Sequence, residues 1–337
     1  MRLQQYLAFS PAVQAANRHH APAVPGYLPR NDGPAPGRHA EPALVIRSTR
    51  PFALALATHV SSSLRHGPVE GHQFGYARLP WPRPIPVWTY YVDGLLIDTG
   101  SRYTQRAVLA TYERHQIEQI ALTHFHEDHA ANAAALARQH GCPVRCGLLT
   151  AERIAYPYHL LPYERYWFGP IEACSAAVGV EVLATYPAPV ETAHYRFLPI
   201  PTLGHSDDHH VLLEPNEGWL FSGDFYVGNL RVFRRGENIY QQLEAARHLL
   251  TYDFDTLFCG HRPVLKHAKT AIQAKIDHLQ RIVDQSLEGQ RRGLSEAIIL
   301  RRIGLREDWF MRAFTSNDVA VTYLIRSALH DRANGAD

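Results

Sequence analysis

The chain has no long apolar run, no paired-cysteine motif, almost no lysine and almost no net charge, and each shortage removes a class of protein. No stretch approaches the roughly 18 consecutive apolar residues that span a bilayer, so no membrane-spanning segment and no membrane partner are expected. The four cysteines, Cys142, Cys146, Cys174 and Cys259, contain no Cys-x-x-Cys pair and are too few for a disulfide framework in 337 residues. They read as reduced, packed thiols of a cytoplasmic protein. Thirty-four basic side chains face 32 acidic ones, a formal net charge of +2, which leaves no electrostatic footprint for nucleic acid. Lysine occurs only as Lys266, Lys269 and Lys275, so arginine carries the basic side.

What is present is ordinary, with one exception. Hydrophobic residues make up 46% and charged residues 20%, as in a globular enzyme large enough to bury a core. Histidine is the exception, with 21 residues, about three times ordinary usage. Its side chain titrates near neutrality and is the commonest metal ligand.

Residues 1–45 carry Pro11, Pro22, Pro25, Pro29, Pro34, Pro36 and Pro42 but only Asp32 and Glu41 as acids. Proline at that density blocks helices and sheet ladders, so a flexible extension is expected there. Residues 46–288 are expected to form the main domain and 289–337 a helical segment. Residues 85–98 read as a hairpin around Asp93-Gly94. Helices are expected over 102–116, 128–140 (closed by Gly141), 238–250 and 266–288, and strands over 120–122, 144–146, 196–200, 209–214, 218–222 and 255–259. Two or three further helices are expected within 294–330, separated by Gly304 and by Ser316-Asn317-Asp318. Strands precede helices repeatedly, an α/β pattern with a helical C-terminal appendage.

The densest chemistry lies in Thr123-His124-Phe125-His126-Glu127-Asp128-His129, between a buried strand and a helix. Three imidazoles and a carboxylate within six residues form a ligand set for a borderline metal such as zinc. Three more segments have the form apolar strand, glycine, ligand: Gly204-His205, Gly223-Asp224 and Gly260-His261. Glycine lets the chain turn sharply enough to bring a loop side chain to a common centre.

In this order and spacing the set resembles the metallo-β-lactamase-fold hydrolases over residues 52–285, and Leu96-Ile97-Asp98-Thr99-Gly100 looks like that family's early strand and turn. The resemblance implies a four-layer αββα sandwich with the site at one edge of two facing sheets. It implies that His124, His126 and His205 bind one metal, that Asp128, His129 and His261 bind a second, and that Asp224 bridges both. The pair would activate a metal-bridging hydroxide, with Asp128 both ligating and accepting its hydrogen bond. Zinc suits an imidazole-rich set, with iron or manganese as alternatives for the carboxylate-bearing half. Asp98 is a candidate to hold a metal-bound imidazole from behind. Asp207, Asp208 and His209 are surplus as ligands and are expected in supporting roles, although Gly204-His205-Ser206-Asp207-Asp208-His209 looks like a loop of the β-lactamase-like endoribonuclease branch. Cys259 is assigned to packing.

The bridging carboxylate disfavours drug hydrolysis, because dedicated β-lactamases of this fold generally lack it. An ester, thioester or lactone of a small molecule is the favoured substrate, as in glyoxalase II. Cleavage of single-stranded RNA or another phosphodiester is the alternative, disfavoured by the near-neutral charge. A metal-binding module without catalysis is the alternative outside enzymes, and such chains usually lose a ligand. Residues 156–168 carry six aromatic side chains that either line the mouth of the site or pack on the sandwich. Tyr226 is a candidate to reach a substrate oxygen. Arg291, Arg292, Arg301, Arg302, Arg306 and Arg312 alternate with acids and read as a solvated helical face.

Overall fold

The computed structural model describes residues 58–79, 82–156, 159–228 and 231–330. The proline-rich stretch 1–45 lies outside the described residues. A seven-stranded sheet runs in chain order: β1 (Thr58–His66), β2 (Val69–Ala77), β3 (Val87–Val92), β4 (Leu95–Ile97), β5 (Gln119–Ala121), β6 (Val144–Arg145) and β7 (Val182–Leu183). Pairing is antiparallel from β1 to β4 and parallel from β4 to β7. The expected hairpin is β3–β4, and Asp93 and Gly94 both take the positive φ that a tight two-residue turn demands.

The second sheet holds β8 (Val190–Glu191), β9 (Arg196–Pro201), β10 (His210–Glu214), β11 (Trp219–Gly223) and β13 (Thr256–Cys259), in the order β13-β11-β10-β9-β8. A small ribbon pairs β12 (Phe233–Arg234) with β14 (Val319–Ala320).

Alternation along the strands makes the layers. Leu95 and Ile97 of β4 point into a core shared with Phe221, Phe258 and Leu212 of the other sheet, while Leu96 between them faces away. Within this shared core the Phe221 and Phe258 rings stack with centroids 4.7 Å apart. The outer face of the first sheet, with Leu96, Ile120 and Val144, is covered by α1 (Gln105–Tyr112), α3 (Ala133–His140) and α4 (Leu148–Ala155). The outer face of the second, with Val211, Leu220 and Leu257, is covered by α6 (Ile239–Leu249), α7 (Ala268–Arg291) and α10 (Thr322–His330). Three apolar cores between four layers give the expected αββα sandwich with helices at its C-terminal end. Among the described residues no helix is long and apolar enough to cross a membrane.

Several expectations are corrected in detail. The helix expected over 128–140 is two pieces, α2 (Glu127–Ala130) and α3, separated at Ala131 and Asn132. The Asn132 amide donates to the carbonyls of Thr99, Gly100 and Ser101, which fixes that break against the turn after β4. The helix expected over 102–116 is regular only from Gln105 to Tyr112. The hairpin β1–β2 was not foreseen, because Thr58–His66 is mostly polar and lacks the apolar alternation that marks a strand. The C-terminal region supplies three helices: α8 (Glu296–Ile303), α9 (Trp309–Phe314) and α10, with Gly304 closing α8 in the left-handed conformation as expected.

Candidate metal centre

Each ligand-bearing segment begins where a buried strand ends. The loop from β5 into α2 carries His124, His126, Asp128 and His129. The β9–β10 loop carries His205, Asp224 follows β11, and His261 follows β13. Gly223 has φ +45°, and a Cβ there would lie 2.5 Å from Thr123 Oγ1. Gly260 needs no unusual φ, but a Cβ would sit 2.7 Å from His129 and 2.9 Å from Asp224 Oδ1. So the glycine before His261 serves close approach to the other ligands rather than a turn.

The seven candidate ligands fall into two sets that share Asp224. In the first, His124 Nε2 and His205 Nε2 each lie 3.0 Å from His126 Nδ1, and His205 Nε2 lies 3.6 Å from Asp224 Oδ2. In the second, Asp224 Oδ1 lies 3.1 Å from His129 Nε2 and 3.2 Å from His261 Nε2. Asp128 Oδ2 joins this set at 3.8 Å from His129 Nε2 and 3.5 Å from His261 Nε2. The two oxygens of Asp224 thus face different sets.

The donors fit a pair of cations. His129 Nε2 and Asp224 Oδ1 are shut off from solvent, and despite their closeness neither makes a hydrogen bond. A buried polar atom left in that state costs about 1–3 kcal/mol, a cost that a cation removes. Ligand atoms 3.0 Å apart also come within a few tenths of an ångström of the edges, about 3.3–3.4 Å, of a tetrahedral shell whose metal–nitrogen bonds are about 2.0–2.1 Å.

The far side of each ring is held too. His129 Nδ1 lies 2.7 Å from Asp98 Oδ2, and Asp98 itself accepts from Thr123 N (2.9 Å) and Thr123 Oγ1 (2.9 Å). Asp98 sits at φ +57°, a conformation rare outside glycine, which the turn after β4 imposes. His124 Nδ1 meets Thr123 Oγ1 at 3.0 Å, His261 Nδ1 meets the Pro86 carbonyl at 2.8 Å, and His205 Nδ1 lies 3.7 Å from Glu237 Oε2. Such partners fix the tautomer and aim the ligating nitrogen.

Asp208 does not join either set. Its buried carboxylate accepts from Phe125 N, Thr150 Oγ1 and Ser206 Oγ, and so ties the β5–α2 loop to the β9–β10 loop. His209 accepts from the backbone N–H of Asp224 at 3.2 Å and meets Thr202 Oγ1 at 2.8 Å. Cys259 Sγ accepts from the backbone N–H groups of His261 and Arg262, shaping the ligand loop. Tyr226 packs its half-buried ring against the core outside the second sheet.

Burial and the imidazoles of His129, His126, His209 and His205 hold His124 well below its ordinary pKa. Burial, the Arg234 guanidinium and His205 do the same to His126. Both rings are therefore neutral, the form that ligates. Around the second set, burial lowers His261, but Asp224 and Asp128 outweigh it and raise the group to about 9. A proton occupies that carboxylate-rich spot until a cation displaces it.

The sequence profile of the metallo-beta-lactamase superfamily matches residues 82–261. The chain belongs to that superfamily. A metallo-beta-lactamase family protein of Thermus thermophilus superposes with a TM-score of 0.54 at 16% identity, covering 84% of this chain and 95% of that one, which shows the shared fold. Among curated proteins, the atrochrysone carboxyl ACP thioesterase of Aspergillus fumigatus is 27% identical over 215 residues, 61% of this chain and 60% of that protein. The hydroxyacylglutathione hydrolase of Legionella pneumophila is 26% identical over 218 residues, 59% of this chain and 73% of that protein. The chain therefore spans about three-fifths of the length of the first of these relatives.

The sequence left the aromatic stretch open between lining the site and packing, and gave no sign of an arginine network beside it. Within the aromatic stretch, Tyr163, Trp167 and Phe168, around α5 (Pro162–Trp167), pack into a cluster with Phe314, Met311 and Val319, while Tyr156 is exposed. Arg234 lies beside this cluster, ion-paired to Glu164 and 3.3 Å from Asp318, with Nη1 3.4 Å from His126 Nε2. Only proximity created by the fold reveals that network.

Proposed function

We propose that the chain is a dinuclear metal-dependent hydrolase of a small-molecule thioester, ester or lactone. The observation that carries this reading is the two-faced placement of Asp224, with one oxygen toward His124, His126 and His205 and the other toward His129 and His261. His124, His126, His205 and Asp224 would hold one ion, and Asp128, His129, His261 and Asp224 the other. Zinc suits the imidazole-rich donors, and iron or manganese suits the half with more carboxylate. Held by these residues, such ions would supply a water whose pKa is lowered from about 15.7 toward 7, a nucleophile at neutral pH.

The chain's own residues do the rest. Neutral His124 and His126 present lone pairs, and Asp98 keeps the His129 ring turned so that Nε2 faces the centre. Asp128 supplies a nearly buried carboxylate beside His261, placed to accept the nucleophile's hydrogen bond. No serine or cysteine nucleophile is required, and burial raises the Cys259 thiol to about 11, far from a reactive thiolate.

Thioesters rank first among substrates because the Aspergillus and Legionella relatives are named for a thioesterase and a hydroxyacylglutathione hydrolase. A near-neutral chain favours them over RNA. The test is side-by-side turnover of S-lactoylglutathione, an acyl-lactone, an aryl phosphodiester and single-stranded RNA by zinc-loaded protein. Fastest turnover of the thioester is expected. Cleavage of RNA alone would replace the reading with a nuclease, and no turnover of any would replace it with a binding module.

A further inference from the structure

Away from this centre, Glu70 and His72 of β2 meet His115 of the turn between α1 and β5. Glu70 and His72 are two apart on one strand, so they share a face. Glu70 Oε2 lies 3.3 Å from His115 Nε2 and 4.0 Å from His72 Nε2, and the three donor atoms all lie within 4.8 Å of one another. We propose that these residues form a further metal site for a single divalent transition ion, bound by two imidazoles and one carboxylate.

Hydrogen bonding within the protein leaves the cluster unsatisfied. His72 Nε2 is closed to solvent and makes no hydrogen bond, while His115 Nε2, the nitrogen turned toward Glu70, has only that carboxylate at 3.3 Å. Buried imidazole nitrogens normally find a partner. A salt bridge does not resolve the His72 nitrogen, because burial, opposed by Glu70 and aided by His115, keeps its pKa below the ordinary value and the ring neutral. At 4.0 Å, His72 Nε2 and Glu70 Oε2 are too far apart to hydrogen-bond in either tautomer, and a cation between them would meet both. Arg65 pairs with the other Glu70 oxygen, Oε1, and so steadies the carboxylate without filling the space toward the two rings. Tyr112 packs edge-on against both His72 and His115, and Tyr91 against His115, which fixes the ring planes. Two nitrogens and one oxygen select zinc, copper or nickel over magnesium or calcium, which prefer oxygen alone.

The consequence is mechanical. An ion here would clamp the β1–β2 hairpin to the turn at the end of α1. The site stands whatever the catalytic centre hydrolyses.

The test uses the full chain with Glu70→Gln and His115→Gln, both similar in shape to the native residues and remote from the ligand loops. Wild-type protein equilibrated with micromolar free zinc should hold one more zinc per chain than either variant, with thioester turnover within about twofold. Equal zinc in all three proteins would overturn the proposal. A second readout does not depend on counting: one equivalent of Cu2+ added to wild type carrying two zinc ions per chain and no free zinc should give an electron paramagnetic resonance spectrum with nitrogen splitting from two imidazoles. Loss of that spectrum in both variants supports the site, and its absence in wild type or persistence in the variants overturns it.

Discussion

Asp98 shows how a single side chain acts at a distance from the chemistry. It belongs to neither ligand set, yet it holds Nδ1 of His129 and is itself pinned by Thr123. Asp98→Asn keeps the shape and removes the charge, so metal affinity and turnover should each fall about 10–100-fold with the fold intact. A metal titration with circular dichroism as the folding check reads this directly, and unchanged affinity would remove Asp98 from the support. The pH response follows from His261. In the metal-free chain its pKa stands at about 9, raised by Asp224 and Asp128 against the lowering effect of burial. Binding at the second set must therefore expel a proton at pH 7, and affinity should climb as pH rises from 7 toward 9. Calorimetry in buffers of different ionisation enthalpy measures the released proton, and a flat pH profile would contradict the assignment. The same raised pKa gives the metal-free fold a contribution to stability that is present below about 6.5 and lost as pH rises through 9.

At the scale of elements, the sequence shows the ligands because they follow apolar strands and glycines, signals that are local. His124, His126, Asp128 and His129 were legible as a dense run after an apolar strand, and His205, Asp224 and His261 by strand and glycine, and the structure brings the seven into two sets. Glu237 and the Arg234–Glu164–Asp318 network were not legible, since each gains its meaning from residues tens to more than a hundred positions away. The same holds for the aromatic stretch, which reads equally as a substrate lining or as packing until Phe314 is seen against Trp167, centroids 5.0 Å apart. Phe314 is half-buried, so Phe314→Ala should loosen α9 from α5 and destabilise the chain by up to about 3 kcal/mol, the low end for a core aromatic. Arg234→Met leaves the buried Glu164 carboxylate without its ion pair and should cost about 3 kcal/mol, within the range for breaking a buried pair. Denaturant melts of the two variants check both, and native stability in Arg234→Met would show the network to be a surface contact.

For the molecule as a whole, four layers place the ends of β5, β11 and β13 and the β9–β10 loop at one edge, where single loops from two sheets meet. The β-sandwich is built from apolar alternation and does not need the ions for its cores. Chelation should thus abolish turnover while leaving the far-ultraviolet spectrum of the folded chain. The most direct measurement is elemental analysis paired with thioester turnover for wild type and Asp224→Ala, purified without chelator and loaded side by side with zinc. Asp224→Ala should hold at least one ion fewer per chain and lose more than the roughly 100-fold in turnover that removal of an outer support costs. Equal metal content and equal turnover in the two proteins would contradict a shared, bridging Asp224 and the dinuclear hydrolase built on it.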